Sequence, residues 1–197
     1  MKSWFSFSNI TSVIILVFAA ALFFSPELKG AVLRGLAEVG LFKPSVPEPG
    51  EEAKPIQTLD TADEILFKSA EGELVNLSEL RNKVVFVNFW ATWCPPCIAE
   101  MPSIQELYTA YKDNDQVVFL MVDVDNNLKR SVKFMKNGKY DLPVHTPASP
   151  IPPAFLGSAI PTTLVLNKKG EVVFKHEGMG NYAAPEFGSF MDKLIAE

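Results

Sequence analysis

Residues Val84 to Pro102 read VVFVNFWATWCPPCIAEMP. The first six residues are apolar except for one asparagine, which is typical of a β-strand covered on both faces of a sheet. Beyond the cysteines, apolar side chains recur with the period of a helix. We expect this helix to begin at Cys94, to reach about Tyr111 and to carry an apolar stripe formed by Ile98, Met101, Ile104, Leu107 and Tyr108. The segment therefore predicts a buried strand that leads directly into a helix beginning at the cysteines.

Shorter strand and helix patterns lie on both sides of this segment. Before it, residues 65–69 and 73–76 flank Ala70-Glu71-Gly72 and predict a β-hairpin. After it, we predict strands at 117–122, 163–167 and 171–177 and helices at 128–136 and 185–195. From Val84 onward the order is β-α-β-α-β-β-α. This order predicts an α/β fold with a mixed central sheet and helices on both faces.

The two cysteines of the chain, Cys94 and Cys97, belong to one Cys-Pro-Pro-Cys motif. With Cys94 as the N-cap, Pro95 and Pro96 take the first two helical positions, where proline is well tolerated. Because Pro96 has no amide hydrogen, only the N–H of Cys97 is left to donate to the sulfur of Cys94. That bond and the helix dipole favour the Cys94 thiolate. The spacing suits a redox-active disulfide, with Cys94 attacking a substrate disulfide and Cys97 resolving the mixed disulfide.

The composition excludes several classes of protein. The chain carries 18 basic and 23 acidic residues and a net charge of −5, which argues against a nucleic-acid-binding protein. Two cysteines are too few for a disulfide-stapled scaffold or a four-thiolate zinc site. We therefore expect no nucleic acid among the partners and no metal at the site.

The N-terminal segment is uncharged over residues 3–26 and largely apolar. At about 1.5 Å per residue, a helix of this length could cross a hydrocarbon core of about 30 Å. A cleaved signal peptide is the alternative, because Ala19 and Ala21 offer a small-x-small site, but the apolar run continues past that site. We predict that residues 1–26 form a transmembrane anchor and that the domain after it lies outside the cytoplasm, on the periplasmic side.

A tether is predicted between the anchor and the folded domain. Gly30 to Phe42 is compatible with a short juxtamembrane helix. Residues 43–55 hold four prolines and three glutamates, which predicts an extended, solvated linker. We therefore divide the chain into the anchor (1–26), a juxtamembrane segment with the linker (27–57) and a single domain (58–197).

Two separated motifs resemble those of the thioredoxin superfamily. One runs from Val87 to Pro102 and contains the cysteines, and the other is Ile160-Pro161-Thr162-Thr163, followed by Lys169-Gly170-Glu171 at the next predicted turn. More narrowly, the chain from about Ile65 resembles the membrane-anchored disulfide reductases of the TlpA and ResA type. The resemblance implies a thioredoxin-like fold, no bound cofactor, a thiol electron donor in the membrane and exchange of disulfides in exported proteins, often apocytochromes c awaiting haem.

The resemblance also implies roles for residues around the cysteines. Pro161 resembles the family's cis-proline, which lies opposite the two cysteines. Ile160 would then offer its backbone N–H and C=O to an extended substrate segment, in the manner of strand addition. Trp93 and Pro95, on either side of Cys94, are expected at the rim of the substrate-binding site.

Glu100 admits two interpretations. It lies three residues after Cys97 and so on the same helix face. Thioredoxin proper has a buried aspartate where this chain has Asn88, whereas TlpA-like proteins resemble this chain in having asparagine there and glutamate at the position of Glu100. This implies a proton shuttle for Cys97. The alternative is a first-turn acid that complements the helix dipole.

Two further alternatives stay open. The cysteine pair could be half of a metal site completed by His145 and His176, so the second candidate function is a non-catalytic copper or zinc carrier on the same fold. Residues 143–153, which contain five prolines, depart from the family. They predict either a stiff lip beside the cysteines or a mere connection.

Overall fold

The computed structural model describes residues 11–18, 25–38 and 65–197. The strands are β1 (Leu66–Ser69), β2 (Leu74–Asn76), β3 (Val84–Trp90), β4 (Val117–Asp123), β5 (Val144–Pro147), β6 (Thr162–Leu166) and β7 (Val172–Glu177). The helices are α1 (11–18), α2 (Pro26–Glu38), α3 (Pro95–Tyr111), α4 (Leu128–Gly138), α5 (Pro153–Leu156) and α6 (Pro185–Ala196), and a 3-10 turn spans Leu77–Leu80. These strands form one sheet in the order β2-β1-β5-β4-β3-β6-β7.

Strand β3 lies inside the sheet and leads to the cysteine motif. It pairs in parallel with β4 and antiparallel with β6, so the predicted mixed sheet is confirmed. All seven of its residues are buried, as the apolar run predicts. Because side chains alternate along a strand, Phe86 and Trp90 enter one core, whereas Val85, Val87 and Phe89 enter the other.

The helices are distributed unevenly over the two faces of the sheet. Side chains of α3, α4 and α6 pack in the core that contains Phe86, as Met101, Met135 and Phe187 illustrate. The opposite core receives Phe155 of the short helix α5 and Leu77 of the 3-10 turn. Helices therefore cover both faces, as the order of elements predicts, but the three long helices of the domain share one face.

Strand β5 is a strand that the sequence pattern missed, as it missed the short helix α5 and the 3-10 turn. Strand β5 lies within the proline-rich segment 143–153 and pairs antiparallel with β1 and in parallel with β4. Pro147 is tolerated because it stands at the end of the strand, where a missing N–H does little harm. Residues 144–147 therefore belong to the sheet and form no lip beside the cysteines, whereas the lip interpretation of residues 148–153 stays a prediction.

The described part of the N-terminal region contains α1 and α2. No helix in residues 11–18, 25–38 or 65–197 is long and apolar enough to cross a bilayer. Helix α2 begins earlier than the predicted juxtamembrane helix, because Pro26 suits a first helical position and the Ser25 hydroxyl accepts from the Leu28 N–H at 3.2 Å. The predicted linker, and the domain boundary at residue 58, lie outside the described residues.

Helix α2 packs against the beginning of α3. Gly30 is buried there, and a Cβ atom on it would lie 3.0 Å from Ile98 Cγ2 and 3.2 Å from the carbonyl oxygen of Pro95. Ile98 is buried although it belongs to neither core of the sheet. The absence of a side chain at residue 30 therefore lets the two helices approach closely beside the cysteine motif.

Candidate active site

Helix α3 begins as its sequence predicts. Cys94 is the N-cap, with extended backbone angles, and prolines fill the first two helical positions. The N–H of Cys97 donates to the sulfur of Cys94 at 3.3 Å. Because neither proline has an N–H, this is the donor that the helix start offers to the sulfur, and the predicted cap is confirmed.

Cys94 and Cys97 form a disulfide in this structure, with their Cα atoms 5.3 Å apart. Both residues are buried, since Cys94 is 2% and Cys97 0% exposed. The order of attack by Cys94 and resolution by Cys97 stays a prediction.

The segment before β6 lies beside Cys94. The peptide bond between Ile160 and Pro161 is cis, as the family resemblance predicts. The carbonyl oxygen of Ile160 lies 3.8 Å from the sulfur of Cys94, and the carbonyl of Pro161 accepts from the N–H of Gly178 at 2.8 Å. The structure thus brings the two separated motifs of the sequence together at the start of α3.

Trp93 and Pro95 flank Cys94 in different environments. Trp93 is 54% exposed, and its Nε1–H donates to Asp125 Oδ2 at 2.6 Å, which holds the indole at the surface next to the disulfide. Pro95 is half-buried, and its carbonyl oxygen faces α2 at Gly30. The positions of both residues suit the rim of a substrate-binding site, and their roles in binding stay predictions.

Glu100 is enclosed in the protein interior. It lies in the second turn of α3 and is 1% exposed, so it is not the first-turn surface acid of the dipole interpretation. Its Oε1 atom accepts from Asn88 Nδ2 at 2.7 Å, and its Oε2 atom accepts from the Gly180 N–H at 3.1 Å. Burial raises the pKa of Glu100 to about 8, although both hydrogen bonds oppose this rise. A carboxyl group with this pKa exchanges protons in the range where thiols titrate.

The polar network around Glu100 also contains Thr163 and Tyr182, which the sequence analysis did not identify as site residues. Asn88 Nδ2 also donates to Thr163 Oγ1 at 3.0 Å, and the hydroxyl of Tyr182 donates to the same oxygen at 2.7 Å. Burial, with the nearby Glu100, raises the pKa of Tyr182 well above its usual value, so this residue stays neutral. Thr163 belongs to the Ile-Pro-Thr-Thr motif, whereas no pattern in the sequence singles out Tyr182.

Two buried polar atoms near this network have no hydrogen-bond partner among the described residues. They are Asn88 Oδ1 and Trp90 Nε1, which lie two residues apart on β3. Alternate residues of a strand point to the same face of a sheet, so both atoms belong to the α3 side of β3. An unpaired buried polar group costs about 1–3 kcal/mol, which makes this the least satisfied part of the core.

The histidines do not lie together. His145 is on β5 and His176 is on β7, and three strands of the sheet separate β5 from β7. At about 4.8 Å per strand, this spacing keeps the two imidazoles from joining one metal site with the cysteines. Over residues 11–18, 25–38 and 65–197, no group of three or more His, Cys, Asp or Glu side chains is arranged to hold a metal ion.

A mixed sheet with a Cys-x-x-Cys pair at the start of a helix and a cis-proline beside it defines the thioredoxin-like class of proteins. The Redoxin family model matches residues 48–184. The thiol-disulfide oxidoreductase ResA of Bacillus cereus (strain ZK / E33L) is 34% identical over 134 residues, which are 68% of this chain and 76% of that protein. ResA of Halalkalibacterium halodurans is 32% identical over 120 residues, 60% of this chain and 68% of that protein.

The comparison with solved structures shows the same thioredoxin-like fold. The crystal structure of StoA from Bacillus subtilis matches with a TM-score of 0.52 at 23% identity, covering 71% of this chain and 100% of that one. The chain belongs to the Redoxin family, and within the thioredoxin superfamily it is a TlpA/ResA-like protein-disulfide oxidoreductase.

Proposed function

We propose that this oxidoreductase works as a reductase of disulfides in exported proteins, with apocytochromes c as candidate substrates. The observation behind the proposal is the position of Cys94. It is the N-cap of α3, and its sulfur lies 3.8 Å from the carbonyl oxygen of Ile160. Its sulfur receives a hydrogen bond from one backbone N–H, and the adjacent cis-proline segment offers a backbone edge to a protein chain.

The proposed reaction uses the two thiols of the reduced enzyme. The Cys94 thiolate attacks one sulfur of the substrate disulfide, which forms a mixed disulfide and expels the other substrate sulfur as a thiolate that takes up a proton. Cys97 then loses its proton and attacks the Cys94 sulfur, which releases the second substrate thiol and forms the Cys94–Cys97 disulfide. Two electrons pass from the enzyme to the substrate, and no bound cofactor takes part.

Glu100 is the proposed acceptor of the Cys97 proton. It lies on the same face of α3 as Cys97, and its pKa of about 8 is close to that of a free thiol. A general base works best when its pKa lies near the operating pH. Glu100 therefore assists the resolving step, whereas the attack by Cys94 depends on the helix start.

The proposed setting is the outer side of a membrane. The uncharged apolar residues 3–26 would anchor the chain, and the proline-rich linker would let the domain reach substrates near the surface. Oxidised enzyme has to receive two electrons before the next cycle, and a thiol donor in the same membrane is the proposed source. Relatives named ResA thiol-disulfide oxidoreductase support the reaction class, and the apolar segment supports the location.

Trapping the mixed disulfide tests this function. In Cys97→Ser the resolving thiol is missing, so the adduct between Cys94 and the substrate should accumulate in cells that produce the full chain. Adducts isolated from membranes on non-reducing gels should contain exported proteins. Cys94→Ser is the matched control and should give none. Adducts formed equally by both variants, or made only of cytosolic proteins, would contradict the proposal.

A further inference from the structure

The loop that carries Ile160 is held in place by strand β7. Residues 157–160 connect α5 to the cis-proline, and the carbonyl of Ile160 faces Cys94. The backbone N–H of Ile160 makes no hydrogen bond in the part of the chain that the structure describes. The shape of this loop therefore depends on contacts made by its other residues.

Glu177, the last residue of β7, makes several of these contacts. Its Oε2 atom accepts two hydrogen bonds from Ser158, from the N–H at 3.1 Å and from the hydroxyl at 2.6 Å. Lys175 lies 3.2 Å from Oε1, and its ammonium group also donates to the carbonyl of Ala154 in α5 at 3.0 Å. The hydrogen bonds from Ser158, helped by Lys175, lower the pKa of Glu177 to about 2. One charged carboxylate thus ties β7 to the loop.

Gly157 and Thr162 also lie next to Glu177 and the loop. Gly157 has a φ of +71°, and a Cβ atom on it would lie 2.7 Å from the Glu177 carboxyl carbon. Thr162 stands opposite Glu177 in the β6–β7 register, and its hydroxyl donates to the carbonyl of Ala159 at 2.6 Å. Hydrogen bonds therefore hold Ser158 and Ala159 of the loop, whereas the backbone N–H of Ile160 stays available to another chain.

We propose that Glu177 is a positioning residue for protein substrates. By fixing Ser158, it sets the backbone of Ile160 in the orientation that pairs with an extended substrate segment beside Cys94. A protein disulfide depends on this edge because backbone hydrogen bonds hold the segment in place. A small aromatic disulfide has no backbone to pair and reacts at Cys94 without the edge. The inference rests on the proposed function, since it takes exchange with protein disulfides as the reaction.

The surroundings of Glu177 separate this role from a general effect on stability. Ser158 is exposed, and the ion pair between Lys175 and Glu177 is partly exposed. Ion pairs of this kind contribute little to the free energy of unfolding. Removing the charge should therefore release the loop without unfolding the domain.

The test compares two disulfides as substrates of the reduced full chain, purified in detergent. Insulin is the protein probe, and 5,5′-dithiobis(2-nitrobenzoic acid) is the small probe. For Glu177→Gln we expect the half-saturating insulin concentration to rise about fivefold, which corresponds to about 1 kcal/mol, the net contribution of a typical hydrogen bond. The rate with the small probe and the reduction potential should not change. Glu73→Gln, an exposed glutamate next to β2, is the matched control and should change neither.

A second variant addresses the same contact from the loop. Ser158→Ala should raise the half-saturating insulin concentration in the same way. The double variant should show no more than the larger single effect, because both changes break one interaction. Ser158→Ala also decides the matter if Glu177→Gln fails to fold by circular dichroism.

Three results would overturn the inference. Equal losses with insulin and with the small probe would mean that Glu177 acts on the cysteines or on folding. A folded Glu177→Gln variant with unaltered insulin kinetics would overturn this inference alone. A lack of insulin reduction by the unmodified chain would overturn the proposed function and the inference with it.

Discussion

Asn88 donates a 2.7 Å hydrogen bond from its side-chain amide to Glu100, and both side chains are fully enclosed. Asn88 is on β3 and Glu100 is on α3, so the bond joins the strand that ends before the cysteines to the helix that begins at them. Burial nevertheless favours the neutral carboxyl and raises the pKa of Glu100 to about 8. The Glu100 carboxyl therefore titrates near the pH at which a thiol loses its proton, and it lies three residues after the resolving cysteine on the same helix face.

Glu100→Gln should flatten the dependence of stability on pH. The fold raises the pKa of Glu100 from its ordinary value of 4.5 to about 8, so between these values the folded chain binds up to one proton more than the unfolded chain. The free energy of unfolding should therefore fall as the pH rises from about 5 to about 8, by up to about 1.4 kcal/mol per pH unit. Urea denaturation of the oxidised protein measures this slope. Identical slopes in the variant and the parent would show that Glu100 is already ionised at neutral pH.

The same variant should change the kinetics of disulfide exchange. Loss of the titrating carboxyl should slow the resolving step by at least about tenfold and remove its dependence on pH near 8. Asn88→Ala keeps the carboxyl but removes a hydrogen bond that lowers its pKa, so its profile should only move to higher pH. Stopped-flow measurements of both variants across this range make the comparison. A Glu100→Gln profile that matches the parent would exclude a proton shuttle.

The start of α3 predicts a reducing potential. The Cys94 sulfur accepts from the Cys97 N–H at 3.3 Å, and the two prolines between them provide no N–H, so the thiolate is only modestly stabilised. We expect a reduction potential below about −200 mV, measured by equilibration with glutathione. A potential near about −120 mV would indicate an oxidase instead.

A proline substitution at this helix start should move the potential in a defined direction. Pro96→Ala restores an N–H at the second helical position, which can donate to the N-cap sulfur. A more stable thiolate favours the reduced form, so the potential should rise by about 20–40 mV. Pro95→Ala is the control, because an N–H at the first helical position is not directed at the cap side chain. Equal shifts in the two variants would argue against the cap as the cause.

Gly30→Leu should separate α2 from α3. A Cβ atom at residue 30 would lie 3.0 Å from Ile98 Cγ2 and 3.2 Å from backbone of Pro95, whereas nothing lies within 4 Å of a Cβ at Gly35. The Gly30 variant should lose protection of the α2 amides against hydrogen exchange by about tenfold or more. Gly35→Leu gains the same helix propensity and should keep this protection. Equal protection in both variants would contradict the packing of the two helices.

The parts of the site that were predicted from the sequence are those built from neighbours in the chain. The cap of α3 involves Cys94, Cys97 and the prolines between them, so the spacing alone determines which amide faces the sulfur. The cis bond at Pro161 was predicted only through the family resemblance. By contrast, the surroundings of Glu100 include Gly180, which reaches the carboxyl through the tertiary fold and has no local pattern.

Strand β5 was not predicted because it, too, depends on residues that are distant in the sequence. Four residues with prolines on both sides do not show the alternation by which a strand is recognised, and β5 exists because β1 and β4 offer it partners on both edges. The same limit applies to the histidines, because their separation follows from the order of the strands in the sheet. Local patterns predicted most of the elements, but not which distant residues come together.

The packing of α2 on α3 also determines how far the start of α2 lies from the disulfide. From Gly30, which faces Pro95 next to Cys94, back to Pro26 is about 6 Å along the helix axis. The chain that precedes α2 therefore emerges close to the disulfide. If that chain is embedded in a bilayer, encounters with a redox partner in the same bilayer become a search in two dimensions. Local concentration, more than tight binding, would then govern how fast electrons arrive.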